Sequence, residues 1–275
     1  MNTKTTKLIR FSITFIIVLI ALILGFFLWQ KYINSPWTRD GRIRADISLV
    51  SPEINGFISK LYVKDNDFVK KGQILFDIDS SKYEKSLLRV ENIVKIAKDE
   101  YMLSKKSYLQ HKISKVQLDL FKAKYDDTLS RLDFAKMNLK ATKVYASSDG
   151  WVTNLALKEG DYLRIGDNKM AIIDANSFWV YGYFEENKIP SIKKGTKAII
   201  IPLGTSFKIQ GHVQSIARGI SDKDNSPTDG KLLANVNPSF PWVRLAQRIP
   251  VRIKIDKVPK GFILRAGTTC TITLK

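Results

Sequence analysis

The chain has 275 residues, of which 44% are hydrophobic, and its 45 Lys+Arg against 26 Asp+Glu give a formal charge of +19. That field suits an anionic partner, but the bases are spread along the whole chain without a zinc-finger, RNP or basic-zipper pattern, which argues against nucleic acid. A single cysteine, Cys270, excludes an intramolecular disulfide, and two distant histidines, His111 and His212, speak against a His/Cys metal site.

The first element is apolar. Phe11–Trp29 carries no charge and, as a helix, spans roughly 28 Å, close to the thickness of a bilayer core. It exceeds a signal-peptide core, and no A-x-A site comes after it. The expectation is an uncleaved single-pass anchor over residues 11–30. Lys4, Lys7 and Arg10 keep residues 1–10 cytoplasmic, and the bulk lies across the membrane. Residues 31–48 then form a membrane-proximal segment joining a barrel expected near the C-terminus, with Trp29, Tyr32 and Trp37 suited to the far interface.

A repeat comes next. "GFISKLYVKDNDFVKKGQILFDID" (56–79) returns as "GWVTNLALKEGDYLRIGDNKMAIID" (150–174). Gly56/Gly150, Leu61/Leu155, Lys64/Lys158, Asp67/Asp161 and Gly72/Gly166 are identical pairs. Similarity of this kind means one supersecondary unit used twice. Alternation in "FISKLYV" reads as a half-buried strand, and Asn66 and Gly160 can take positive φ in the turn. Gly56, Gly72, Gly150 and Gly166 are read as turn residues of the half-motifs. Residues 49–79 and 143–174 would cover each other's apolar faces as a small sandwich. The pair resembles biotinyl/lipoyl domains. No tight turn with a modifiable lysine joins the halves, so a carrier role is not expected, nor is any cofactor.

Ser80 to Thr142 lacks both Gly and Pro. Tyr83, Leu87, Val90, Val94, Ala97, Tyr101, Ser104 and Tyr108 follow heptad spacing, and so do Leu118, Phe121, Tyr125, Thr128, Leu132, Ala135, Leu139 and Thr142. "QHKIS" separates the runs, and Ser114 suits an N-cap. Residues 80–142 are therefore expected to form an antiparallel helical hairpin. Residues 175–275 hold five strand-like runs: Phe178–Phe184, Lys197–Ile201, Phe207–Ala217, Pro250–Asp256 and Thr268–Leu274. They suggest a small barrel, and residues 175–275 are expected to form this barrel and a membrane-proximal region, with Cys270 as a buried apolar side chain. "DKDNSP" fails as a calcium loop because Pro227 stands where Gly is needed and Leu233 where the bidentate Glu belongs. No catalytic motif is present, so an enzyme is not expected.

An anchor, a split sandwich, a hairpin and a barrel in this nesting resemble the HlyD-type membrane fusion proteins. "DGWVTNL", "PLGTSFKIQGHVQSIARGI" and "WVRLAQRIPVRI" resemble its AaeA-type branch of aromatic-carboxylate efflux adaptors. The resemblance implies a mainly β protein with a long α-helical hairpin, a split lipoyl/biotinyl-like β-sandwich (barrel-sandwich hybrid) and a small β-barrel. It also implies a non-catalytic periplasmic adaptor, anchored in the inner membrane of a Gram-negative cell. Such an adaptor would link an inner-membrane exporter of aromatic acids or drugs to an outer-membrane channel, as a trimer or hexamer. Family hairpin tips carry an Arg, a Leu and a Ser/Thr that dock on the channel. Leu109 and Ser114 are the counterparts here, flanked by Gln110, His111 and Lys112, while the Arg is missing and Lys105 or Lys106 lies nearby. From the residues themselves, Arg39, Arg42, Arg44, Arg244, Arg248 and Arg252 suit lipid headgroups, an exporter or an anionic solute, or are simply solvated. A subunit for protein or peptide secretion shares this architecture, and a non-transport envelope scaffold is the other alternative.

Overall fold

A computed structural model describes residues 13–26, 36–220 and 246–275. Residues 13–26 form helix α1, with every side chain exposed. Among the described residues no helix is long and apolar enough to cross a membrane. Phe11, Ser12 and residues 27–29 of the apolar run lie outside them. From β1 (Trp37–Arg44) onward the chain divides into two compact units, residues 46–177 and the remainder.

The unit over residues 46–177 is built from the repeat. One half supplies β2 (Ile47–Val50), β3 (Gly56–Leu61), β4 (Phe68–Val69) and β5 (Ile74–Ile78). The other supplies β6 (Lys143–Tyr145), β7 (Gly150–Thr153), β8 (Tyr162–Leu163) and β9 (Met170–Asp174). The sheet orders are β2-β9-β7-β4 and β6-β5-β3-β8. Each sheet takes two strands from each half, and exchanging the halves turns one order into the other. The contacts obey the same exchange. Phe57 meets Tyr162 edge-on at 4.9 Å, and Trp151 meets Phe68 at 5.3 Å. The Leu61 N–H donates to Glu159 while the Leu155 N–H donates to Asp65. The Lys71 N–H donates to Asp149, and the Ile165 N–H to Asn55. Residues 56–79 and 150–174 thus share one core, in which Val69, Leu75, Val152 and Ile172 are wholly buried. Each such side chain stabilises by about 1.5–3 kcal/mol.

Only two of the four motif glycines lie in turns. Gly72 and Gly166 hold φ of +81° and +89°. Gly56 and Gly150 open strands instead, which corrects the turn reading for that pair. They are glycine because neighbouring strands press close. A Cβ on Gly150 would lie 2.1 Å from the Ile173 carbonyl oxygen, and one on Gly56 would lie 2.5 Å from the Ile78 side chain.

Between the halves rise α2 (Ser81–Leu109) and α3 (Lys115–Lys140). Their buried residues are Ala97 and Ser104, and Thr128 and Ala135, all on the two heptad stripes. Small residues at these layers let the helices approach closely. Tyr101 and Tyr125 stack across the seam at 6.0 Å, and Lys124 reaches Glu100 at 2.7 Å. At the root, Asp79 accepts from the Ser81 hydroxyl at 2.6 Å and from its N–H at 3.0 Å, which holds the carboxyl below its ordinary range.

The second unit is a closed barrel in the order β1-β10-β13-β12-β11-β14. Here β10 is Trp179–Glu185, β11 Lys197–Pro202, β12 Ile209–Ile216, β13 Arg248–Lys257 and β14 Thr269–Leu274. Its sixth strand, β1, comes from the segment read from sequence as joining the barrel, with no strand expected in it. Four of its eight residues are charged, yet Thr38, Gly41 and Ile43 turn inward. Gly41 faces Gly182 in register, leaving room for Ile272. Burial in β14 pushes the Cys270 thiol up to about 12. Because the native thiol stays protonated while the unfolded one ionises near its ordinary value, stability holds below pH ~9 and falls as pH rises toward 12. Denaturant melts at pH 8 and 10.5 should show that loss, and maleimide should label native Cys270 only upon unfolding.

Candidate functional site

The hairpin tip is built by two caps. At the end of α2, His111 takes φ +57°, its N–H donating to the Tyr108 carbonyl, and the Lys112 N–H donates to Ser107. This pair of bonds closes the helix as a Schellman motif, with histidine where glycine is usual. At the start of α3, the Ser114 oxygen accepts from the Gln117 N–H at 3.3 Å, and the Gln117 side chain accepts from the Ser114 N–H at 3.1 Å. That is a complete capping box. Leu109, Gln110, His111, Lys112 and Ser114 are all exposed, and Leu109 is 70% accessible. Ser114→Ala should lower hairpin stability by about 1 kcal/mol. His111→Gly should raise it by about 0.5–1 kcal/mol through relief of the left-handed backbone. Thermal melts followed at 222 nm read both signs.

On the barrel, outward residues of three adjacent strands line up. Arg42 faces Tyr181, which faces Arg252, and Arg44 faces Trp179, which faces Lys254. The Arg252 guanidinium lies 4.2 Å over the Trp179 ring, a cation–π contact. Arg39 lies near the start of β1, 5.5 Å from the Trp37 ring, and Arg248 pairs with Asp40 at 2.5 Å. A hollow of about 330 Å³ opens there, bordered by Trp37, Arg39, Tyr183, Glu185, Lys188 and Arg248. Arg244 lies outside the described residues. The structure thus brings Arg42 and Arg252 into one row and Arg39 and Arg248 to one end. Sequence reasoning missed the aromatic column of Trp179, Tyr181 and Tyr183. Its signal was the period-2 alternation in "WVYGYF". Among the described residues no group of three His, Cys, Asp or Glu side chains could hold a metal ion.

Comparison with known families covers both units. Residues 46–175 match the RND MFP barrel-sandwich hybrid domain, and residues 177–275 match the AAEA-like beta-barrel domain. This chain belongs to the HlyD-type membrane fusion proteins, in the group related to AaeA. The uncharacterized protein YdhJ of Escherichia coli strain K12 is 38% identical over 98% of either chain. Among solved structures, a MacA–MexA chimera carrying the Pseudomonas aeruginosa MexA α-hairpin superposes with a TM-score of 0.67 at 20% identity. The match covers 88% of this membrane fusion protein and 81% of the chimera. The membrane fusion protein Spr0693 from Streptococcus pneumoniae R6 superposes with a TM-score of 0.64 at 16% identity, covering 88% and 99% of the two chains. Both share the fold.

Proposed function

We propose that this membrane fusion protein is the adaptor of an efflux pump, held at the inner membrane by the apolar segment Phe11–Trp29 with its bulk in the periplasm. In this reading it links an inner-membrane exporter of aromatic acids or drugs to an outer-membrane channel and performs no chemistry itself. The observation that carries the reading is the hairpin: a sandwich interrupted by two long helices whose tip is exposed and capped at both ends. An element that buries so little in its own unit is suited to reach something else. Aromatic acids are taken as the exported class from the resemblance to the aromatic-carboxylate efflux adaptors, with which the AAEA-like barrel is consistent.

A second stripe supports assembly of several copies. Ile93, Ile96 and Leu103 on α2, with Val116, Leu120, Phe134 and Met137 on α3, are exposed by 41% to 78%. Ile93, Ile96, Leu103, Leu120 and Phe134 each directly precede a seam residue. In two antiparallel helices that places these five on one side of the hairpin, where a neighbouring hairpin can pack with heptad spacing, and Val116 and Met137 continue the apolar surface onto the outer face. Deleting the gene and measuring growth and export over a panel of aromatic acids and cationic drugs tests the function. The expected result is sensitivity to aromatic acids, restored by the wild-type chain. Unchanged export of every compound would overturn it.

A further inference from the structure

One end of the barrel gathers the start of β1, the end of β10, the start of β13 and the end of β14. The Leu274 N–H donates to the Pro36 carbonyl there, and the Lys275 N–H to Lys197. A 3-10 turn, Glu186–Ser191, continues from β10, and its Ile189, followed by Ile192, packs onto the barrel core. Trp37 stands at this rim with two cations over its ring, Arg39 and Lys188, each at 5.5 Å. The exposed Lys193, Lys194 and Lys197 follow in the next turn and strand. The acids of the rim are mostly engaged: Asp40 with Arg248, and Glu185 with Lys188 at 3.3 Å. Among the described residues Arg39, Lys193, Lys194 and Lys197 make no ion pair.

Chain length singles out this end. The opposite end of the barrel is basic too, but β1 adds roughly 26 Å before the chain reaches it. Only seven residues separate Trp29, the last of the uncharged run, from Trp37, so the rim lies within eight residue steps, about 29 Å, of that run even when they are fully extended. Tryptophan beside lysine and arginine is the composition that settles at a bilayer interface, the ring at the headgroup level and the cations reaching phosphates. Free cations attract an anionic surface only within about a Debye length, roughly 8–10 Å, a separation that these seven residues allow.

We propose that this rim, Trp37 with Arg39, Lys193, Lys194 and Lys197, rests on an anionic phospholipid surface and fixes the barrel against the bilayer. The proposal rests on the reading of Phe11–Trp29 as a membrane tether. The test uses the full chain in nanodiscs of phosphatidylcholine, with or without phosphatidylglycerol. Recovery of protein with the discs reports the tether. Hydrogen exchange of amides in residues 37–40 and 186–197 reports the rim. With phosphatidylglycerol these amides should exchange about tenfold more slowly, given the several-fold attraction contributed by each base near an anionic surface. Lys193→Gln/Lys194→Gln/Lys197→Gln should return them to the phosphatidylcholine rate, whereas Lys158→Gln, in a sandwich turn, should not. Equal rates in the two disc types, as expected if the rim instead meets an acidic protein, overturn the proposal. So does equal slowing in the triple variant. Failure to enter discs of either composition removes the tether reading, and the rim contact with it.

Discussion

Ala97→Asp is expected to melt the hairpin while leaving both β units folded. Ala97 is 3% exposed in the seam between α2 and α3. A carboxylate there has neither water nor a partner cation, and an unpaired buried charge costs about 3–5 kcal/mol. The hairpin has little to set against that. Its most buried seam residues are Ala97, Ser104, Thr128 and Ala135, none of which removes much apolar area from water. Circular dichroism should lose the helical signal of the 29- and 26-residue helices. The sandwich and barrel should keep their near-ultraviolet spectrum, and export should be abolished. Ala97→Ser, which adds a hydroxyl able to bond the preceding turn, should cost under ~1 kcal/mol. Retained helix in the aspartate variant would show that the seam does not hold the hairpin together.

The second large effect separates two glycines by geometry. Gly150→Ala puts a methyl group 2.1 Å from the Ile173 carbonyl oxygen, with the Ile172 side chain at 2.9 Å. Backbone on a paired central strand cannot yield, because Gly150 is in register with Asp174 on one side and Val69 on the other. The expected loss is about 4 kcal/mol or more, enough to keep most of the chain from folding. Gly166→Ala meets open space and bears only the strain of φ +89°, about 1 kcal/mol. Gly56→Ala should fall between them, since its obstacle is the end of the Ile78 side chain at 2.5 Å. Urea midpoints of the three variants give the order. A Gly166→Ala loss as large as that of Gly150→Ala would refute the close-approach argument.

The repeat and the heptads were legible because each is a spacing, and spacing survives in one dimension. Identity of Leu61 with Leu155 and of Asp67 with Asp161 pointed to two matching halves. What could not be read was that the strands interleave, since the alternation in "FISKLYV" names a buried face without naming the neighbour. β1 was hidden for a different reason. "WTRDGRIR" has one aliphatic residue, Ile43; its other inward positions are a threonine and a glycine, and at Gly41 the space a side chain would take is held by Ile272 and Cys270. At the tip, Ser114 was readable as a cap from residue type alone. The left-handed His111 was not, because histidine at that position carries no glycine signal. On the barrel the arginines were visible as charges, but their pairing with Trp37 and Trp179 depends on which strands lie side by side.

The interleaving of the halves has a consequence for biosynthesis. No sheet of the sandwich can be completed until the second half has been made, so the first half waits through about 60 residues of intervening chain, several seconds of synthesis at ordinary speed. Apart from the root, where the Tyr83 hydroxyl reaches the Asn55 carbonyl, the helices pack chiefly on one another, and can therefore form in that interval. Once zipped, they hold Ser80 and Thr142 side by side and remove a loop-closure cost of roughly 3–4 kcal/mol from the pairing of β5 with β6. The hairpin then serves its own chain before any partner, as a splint that delivers the late strands to the early ones, and variants that loosen it should fold slowly as well as function poorly.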